Sequence, residues 1–296
     1  MLTIYRTVIS LFIILFVVEL RSQTILFDHI KPEKGLSEHS VQAIYQDELD
    51  RIWIATRDGL NLYDGRSIEV FRPSMDNDSV CMIGHNVQNV TGNGRGQVYI
   101  HCMTGLMTYD MEKEKLSIVV GSEIERISMG RKYLWTSFRN KLYYFNDETQ
   151  SLVLYHTFEK DLNITSIFES ADNEFYIGTR DHGLMLMSGN KSVKNVIPDV
   201  NVICIFKDSH NKIWSGSLKN GLFCIDEQDK IKNYRHNPQD RNSLSNDFVR
   251  CINEDNDGNI WIGTFRGLNK LDSPPTHTHT HTHTHTHTAR HNKYWK

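Results

Sequence analysis

Five cationic side chains, Arg57, Arg139, Arg180, Lys219 and Arg266, fall in the same turn of a phrase that the chain repeats, one in each of five units. A guanidinium holds a carboxylate through two parallel N–H bonds. Gathered around one opening, these residues would form a basic ring for an acidic ligand, with His182 and Phe265 in the same turns offering ring faces to a sugar. The plainer account is that long charged side chains simply solvate hairpin turns. A second set, Asp47, Asp50, Glu169, Asp172, Asp208, Asp255 and Asp257, occupies other turns and is acidic. Paired carboxylates do acid–base chemistry only at defined separations. Spacing in sequence does not supply these, so no catalytic residue is assigned.

Other motifs carry less. Gly92–Gly96 (GNGRG) lacks the spacing of a dinucleotide loop and joins two strands with no helix after it. In Asp255-Asn256-Asp257-Gly258 the glycine comes too early for a calcium loop, and no glutamate stands twelve places on. Neither GxSxG nor HExxH is present. No cofactor and no metal site is expected.

The elements that must position these side chains come from a period near forty residues. IWIATRDGLNLYD (52–64), IWSGSLKNGLFCID (213–226) and IWIGTFRGLNKLD (260–272) are its clearest copies. VYIHCMTGLMTYD (98–110) and FYIGTRDHGLMLM (175–187) are looser, and YLWTSFRNKLYYFN (133–146) is worn. Aromatic anchors fall at Trp53, Tyr99, Trp135, Tyr176, Trp214 and Trp261. Alternating strands precede each anchor (VQAIYQD, VICIFKD, VRCINED), with Asp/Asn/Gly turns between. A glycine-closed turn, a third strand and usually a fourth ending in an aromatic (Phe71, Tyr155, Tyr234) complete the unit. In the worn copy Lys141 replaces that glycine, so its turn must differ. Four short antiparallel strands at this period predict an all-β fold, a β-propeller of six recognisable four-stranded blades. It is either six-bladed or an incomplete seven-bladed ring. The sixth unit stops after its third strand, and Thr24–Ile30 precedes the first unit where an outer strand belongs. That segment would close a ring of six; a ring of seven would leave two edges open.

A small residue stands two places after most anchors (Ala55, Ser137, Gly178, Gly216, Gly263), where neighbouring blades should press together. His101 breaks the rule, and a histidine satisfied by a backbone carbonyl between blades is the expected account. Five cysteines leave at least one unpaired; Cys204 and Cys251 read as small buried fillers of first strands. A net charge of −3 without a basic stripe excludes a nucleic-acid surface.

The termini differ from the repeats. Residues 1–22, with Arg6 before the apolar run Val8–Val18, read as a secretory signal, too short to span a bilayer. Residues 273–296 form a low-complexity tail with six Thr-His steps, read as a flexible segment rather than a metal site. The propeller is assigned to 23–272.

Gly35–Asp47 (GLSEHSVQAIYQD), Ile52–Asp64, Asn242–Asp255 (NSLSNDFVRCINED) and Ile260–Asp272 resemble the two-component regulator propeller repeats, which form the sensor region of hybrid two-component systems. The likeness is strongest in the first, fifth and sixth units and weak in the third. It implies an extracytoplasmic, periplasmic sensor of a signalling receptor, without enzymatic activity here. The expected partner is a small ligand, typically an oligosaccharide, and dimerisation belongs to the full-length receptors. Propeller enzymes of the streptogramin-lyase or polysaccharide-cleaving type are the alternative. The ligand-binding residues expected are Arg57, Arg139, Arg180, His182, Lys219, Phe265 and Arg266.

Overall fold

The computed structural model describes residues 29–73, 81–121, 124–159 and 162–272. The signal assignment (1–22), most of the Thr24–Ile30 segment and the Thr-His tail lie outside them. The described residues from Pro32 to Asp272 belong to one compact unit, the propeller.

Five four-stranded antiparallel sheets and one three-stranded sheet follow one another along the chain, each a simple meander. The first runs Val41–Gln46, Ile52–Thr56, Gly59–Tyr63, Ile68–Phe71. The fifth runs Val202–Lys207, Ile213–Ser217, Leu222–Ile225, Ile231–Tyr234, and the sixth ends after Val249–Glu254, Ile260–Thr264 and Gly267–Leu271. The innermost strand of each sheet packs beside that of the next, from the first through to the sixth. This is the six-bladed β-propeller expected from the repeat.

The first, fifth and sixth blades are pinned by the same few atoms. The indole N–H of Trp53, Trp214 and Trp261 donates to the carboxylate six residues earlier: Asp47 at 2.9 Å, Asp208 at 2.8 Å and Asp255 at 2.7 Å. Those aspartates also accept backbone N–H groups of their own turns. Buried donors must find acceptors, and here one carboxylate serves both turn and anchor. The aromatic that ends the fourth strand lies on the anchor ring: Phe71 on Trp53 with centroids 5.8 Å apart, Tyr234 on Trp214 at 6.1 Å, Tyr155 on Trp135 at 5.0 Å. The GLS and NSLS phrases are straps. Ser37 and Ser245 donate their backbone N–H to the Asn61 and Asn269 side chains, and their hydroxyls bond Thr56 and Thr264.

Blades engage through a valine set into the small residue after the anchor. A methyl group built on Gly178 would strike Val202, and one on Gly216 would strike Val249. His101, as expected, reaches a backbone carbonyl of the next blade: Nε2 lies 3.0 Å from Ile124 O. Burial pushes its pKa down, with partial compensation from that bond.

The first and sixth blades depart from this pattern on their outward flanks. Val41 and Ile44 are 43% and 48% exposed, whereas the matching Val87, Val202 and Val249 are fully buried. Leu268 is 66% exposed. The sixth sheet has no fourth strand among the described residues, and in place of an aromatic lid Lys270 Nζ sits 5.9 Å from the Trp261 ring. One expectation is corrected here. Cys204 is crowded between blades, its thiol pushed up to about 12 by burial, but Cys251 is exposed, as no sheet among the described residues covers its side.

Candidate functional site

The turn after each anchor strand opens on the same face as the chain's entry into that blade. Arg180 N–H bonds Asn163 O, Leu218 N–H bonds Asn201 O, and Phe265 N–H bonds Phe248 O. Strand parity thus places the predicted cationic turns on one face. Arg57 stands exposed in the turn of the first blade. Arg139 adopts φ 52° and lays its guanidinium over Phe138 at 5.1 Å. This is the altered turn that the missing glycine foretold, with the left-handed residue moved from position 141 to 139. Lys219 and Arg266 sit one place further along their turns than Arg180 does. The Lys219 carbonyl accepts from Arg235 at 3.1 Å, and the Arg266 N–H is taken by Thr264 Oγ1. Phe265 stacks on Phe248, centroids 5.9 Å apart and nearly parallel. His182 donates its backbone N–H to Thr179 Oγ1, while its ring Nδ1 is buried without a hydrogen-bond partner.

Of these seven, Arg180 lines a cavity between blades. The cavity, about 440 Å³, lies where the third, fourth and fifth blades meet and is bordered by Arg126, Thr165, Arg180, Asn201, Ile203 and Leu218. Arg126 comes from the inner strand of the third blade. Its Nε donates to Thr165 O at 2.9 Å and its Nη1 to Glu125 O at 2.8 Å, so part of the fork ties two blades together. Burial lowers the Arg126 pKa, the neighbouring Glu125 carboxylate raises it in part, and the positive charge of Arg180 lowers it again; a guanidinium nonetheless stays charged at any working pH. Neither arginine forms an ion pair among the described residues. Asn201 Oδ1 is buried with no hydrogen-bond partner. The lining therefore offers two cations, one idle acceptor and the apolar Ile203 and Leu218. That chemistry suits an anion carrying hydroxyl groups.

Three of the six lining residues escape the repeat pattern. Thr165 and Ile203 are the extra residues of bulges at the start of their inner strands, where Ile164 and Ser166 pair with consecutive partners, as do Val202 and Cys204. A bulge aims its unpaired residue away from the alternation, so parity does not flag it. Arg126 is hidden by a register slip. In the other blades the anchor pairs with the residue eight before it, but Trp135 pairs with Ser128, seven before. Arg126, not Glu125, thus faces Ser137 in the position held elsewhere by Ala43, Ser166 or Cys204. Only the shortened hairpin before Trp135 could have revealed it.

The acidic turns on the opposite face are engaged structurally. Asp47, Asp208 and Asp255 hold indoles, and Glu169 accepts Trp135 Nε1 at 3.0 Å from the neighbouring blade. Among the described residues no group of three or more His, Cys, Asp or Glu could hold a metal.

A propeller whose straps and anchors recur in this way defines the class. Residues 35–58 and 243–266 match the family described as two component regulator propeller, so the chain carries that repeat in its first and sixth blades. Over 52 residues it is 38% identical to a protein named histidine kinase P4 of Formosa agariphila, an overlap of 18% of this chain and 4% of that one. The extracellular domain of a protein described as a hybrid two component system from B. thetaiotaomicron superposes with a TM-score of 0.56 at 23% identity. That match covers 84% of this chain and 42% of the other. Virginiamycin B lyase from Staphylococcus aureus shares the fold at a TM-score of 0.59 and 12% identity, over 80% and 85% of the two chains. The chain thus spans under half the length of the two-component relatives it matches, and these likenesses speak to fold.

Proposed function

We propose that this chain is the extracytoplasmic ligand-sensing propeller of a hybrid two-component receptor, periplasmic and without catalysis of its own. Its ligand is an acidic oligosaccharide fragment that enters the cavity between the third, fourth and fifth blades. The observation that carries this reading is the pairing of Arg126 and Arg180, neither in an ion pair, beside the partnerless Asn201 Oδ1. The two-component repeats and the extracellular two-component domain of like fold support the receptor role. Because Arg126 also bonds Thr165 O across the blade boundary, an anion drawing its guanidinium inward would alter how two blades pack. That gives binding a mechanical output.

Calorimetry of the full chain against acidic and neutral oligosaccharides tests this. Binding of acidic members alone is expected. Arg126→Ala and Arg180→Ala should each weaken it about tenfold or more, since hydrogen bonds to a charged group contribute roughly 1.5–3 kcal/mol. Arg57→Ala should change nothing. Equal binding of neutral sugars, or affinity indifferent to both arginines, would remove the proposal.

A further inference from the structure

His101 stands where the other blades carry a small residue (Ala55, Ser137, Gly178, Gly216, Gly263). The imidazole is 2% exposed, and its Nε2 lies 3.0 Å from Ile124 O of the third blade. Its cross-strand partner Asn89 reaches over the same boundary, Nδ2 donating to Ile127 O at 3.5 Å. These two carbonyls stand before and after Arg126, one of the two arginines of the cavity between the third, fourth and fifth blades. The second blade therefore grips the backbone that bears Arg126 on both sides. Arg126 spends Nε on Thr165 O and Nη1 on Glu125 O, so where its Nη2 can reach depends on that gripped backbone. Charge links the two side chains as well. Arg126 faces His101 from the third blade, with Glu125 beside it. Within its own sheet His101 pairs with Asn89 and Leu106, both uncharged, and burial pushes the neighbouring Cys102 thiol up to about 12, which keeps it neutral. Burial opposes a proton on the ring, the Ile124 carbonyl favours one, and the Arg126 cation opposes it again.

We propose that His101 is the positioning residue of this anion site, and that through it acid tightens the hold on an acidic ligand. The proposal rests on the acidic-ligand reading of the cavity. An anion against Arg126 offsets the cation that opposes protonation, so the occupied site takes up a proton more readily than the empty one. By linkage, the ligand then binds more tightly as pH falls through the titration of His101. The clamp survives the proton, because both ring nitrogens of an imidazolium donate and the bond to Ile124 O is kept.

Calorimetry of the full chain between about pH 8 and about pH 5 tests this, with oligogalacturonate, which stays ionised over that range, as the probe. Affinity should rise about fivefold or more on acidification, with proton uptake on binding seen in buffers of differing ionisation enthalpy. His101→Gln keeps an amide N–H for Ile124 O and cannot titrate, so it should bind the probe without a pH slope. Should that variant fail to fold, histidine side-chain NMR of the parent decides. His101 should titrate below an ordinary histidine in the free chain and higher with the probe bound. No binding at any pH would remove the acidic-ligand reading and this proposal with it. Binding without a slope, a slope that survives His101→Gln, or a His101 titration that the probe leaves unmoved would overturn this proposal alone.

Discussion

The fifth and sixth blades are built on the same repeat in different company. Both hold an indole on an aspartate six residues back, both begin with a valine, and both turn on a glycine after the anchor. Yet all five residues of Ile213–Ser217 and all four of Leu222–Ile225 are buried, while Gly267–Leu271 is largely exposed. Local hydrogen bonds fold each meander whether or not a neighbour covers it. Burial, which supplies most of the stabilisation, comes from that neighbour.

Paired substitutions can break that comparison. Trp214→Ala should cost about 3–5 kcal/mol by denaturant unfolding, the range for a fully buried aromatic. Trp261→Ala should cost about half as much, because its ring already meets solvent. Equal losses would mean that the sixth blade is as covered as the fifth. Next, Val249→Asp buries a charge in the Gly216 socket and should destabilise by about 3 kcal/mol or more. Val41→Asp, at the same repeat position, should stay within about 0.5 kcal/mol. Smaller still, Gly221→Ala meets both a φ of 77° and the Tyr234 carbonyl. It should lose about 2 kcal/mol against about 1 for Gly267→Ala, which has backbone strain alone.

Most of the scaffold was legible because its determinants are local. The anchors, the altered turn at Arg139, the carbonyl-bound His101 and the sixth blade's end at Leu271 all follow from alternation and turn chemistry within one repeat. What escaped depends on neighbours or on a slipped register. Cys251 and Cys204 share a sequence position, so only the presence of a covering blade separates the exposed thiol from the crowded one. The basic ring was read from turn residues alone, whereas half of the cavity's lining comes from inner strands, from two bulge residues and an arginine that a shortened hairpin shifts one place.

The sixth blade also tests whether its local bonds survive without cover. The Asn259 amide, first, and then the Trp261 indole hold the Asp255 carboxyl down at about 2, below its ordinary value. In the unfolded chain the group titrates near an ordinary aspartate, about 3.9. The folded state therefore binds a proton less readily, and the stabilisation is complete above about pH 4. It declines as the unfolded form protonates and is gone once pH falls through about 2. Because the group is solvent-exposed the effect is small, and it should appear as a shallow slope in urea midpoints between pH 4 and 2. Asn259→Ala should flatten that slope by removing the principal cause, while leaving the midpoint at pH 7 only slightly lower. If the slope is unchanged, the Asn259–Asp255 bonds do not hold in solution, and the turn would rest on its backbone pairing alone.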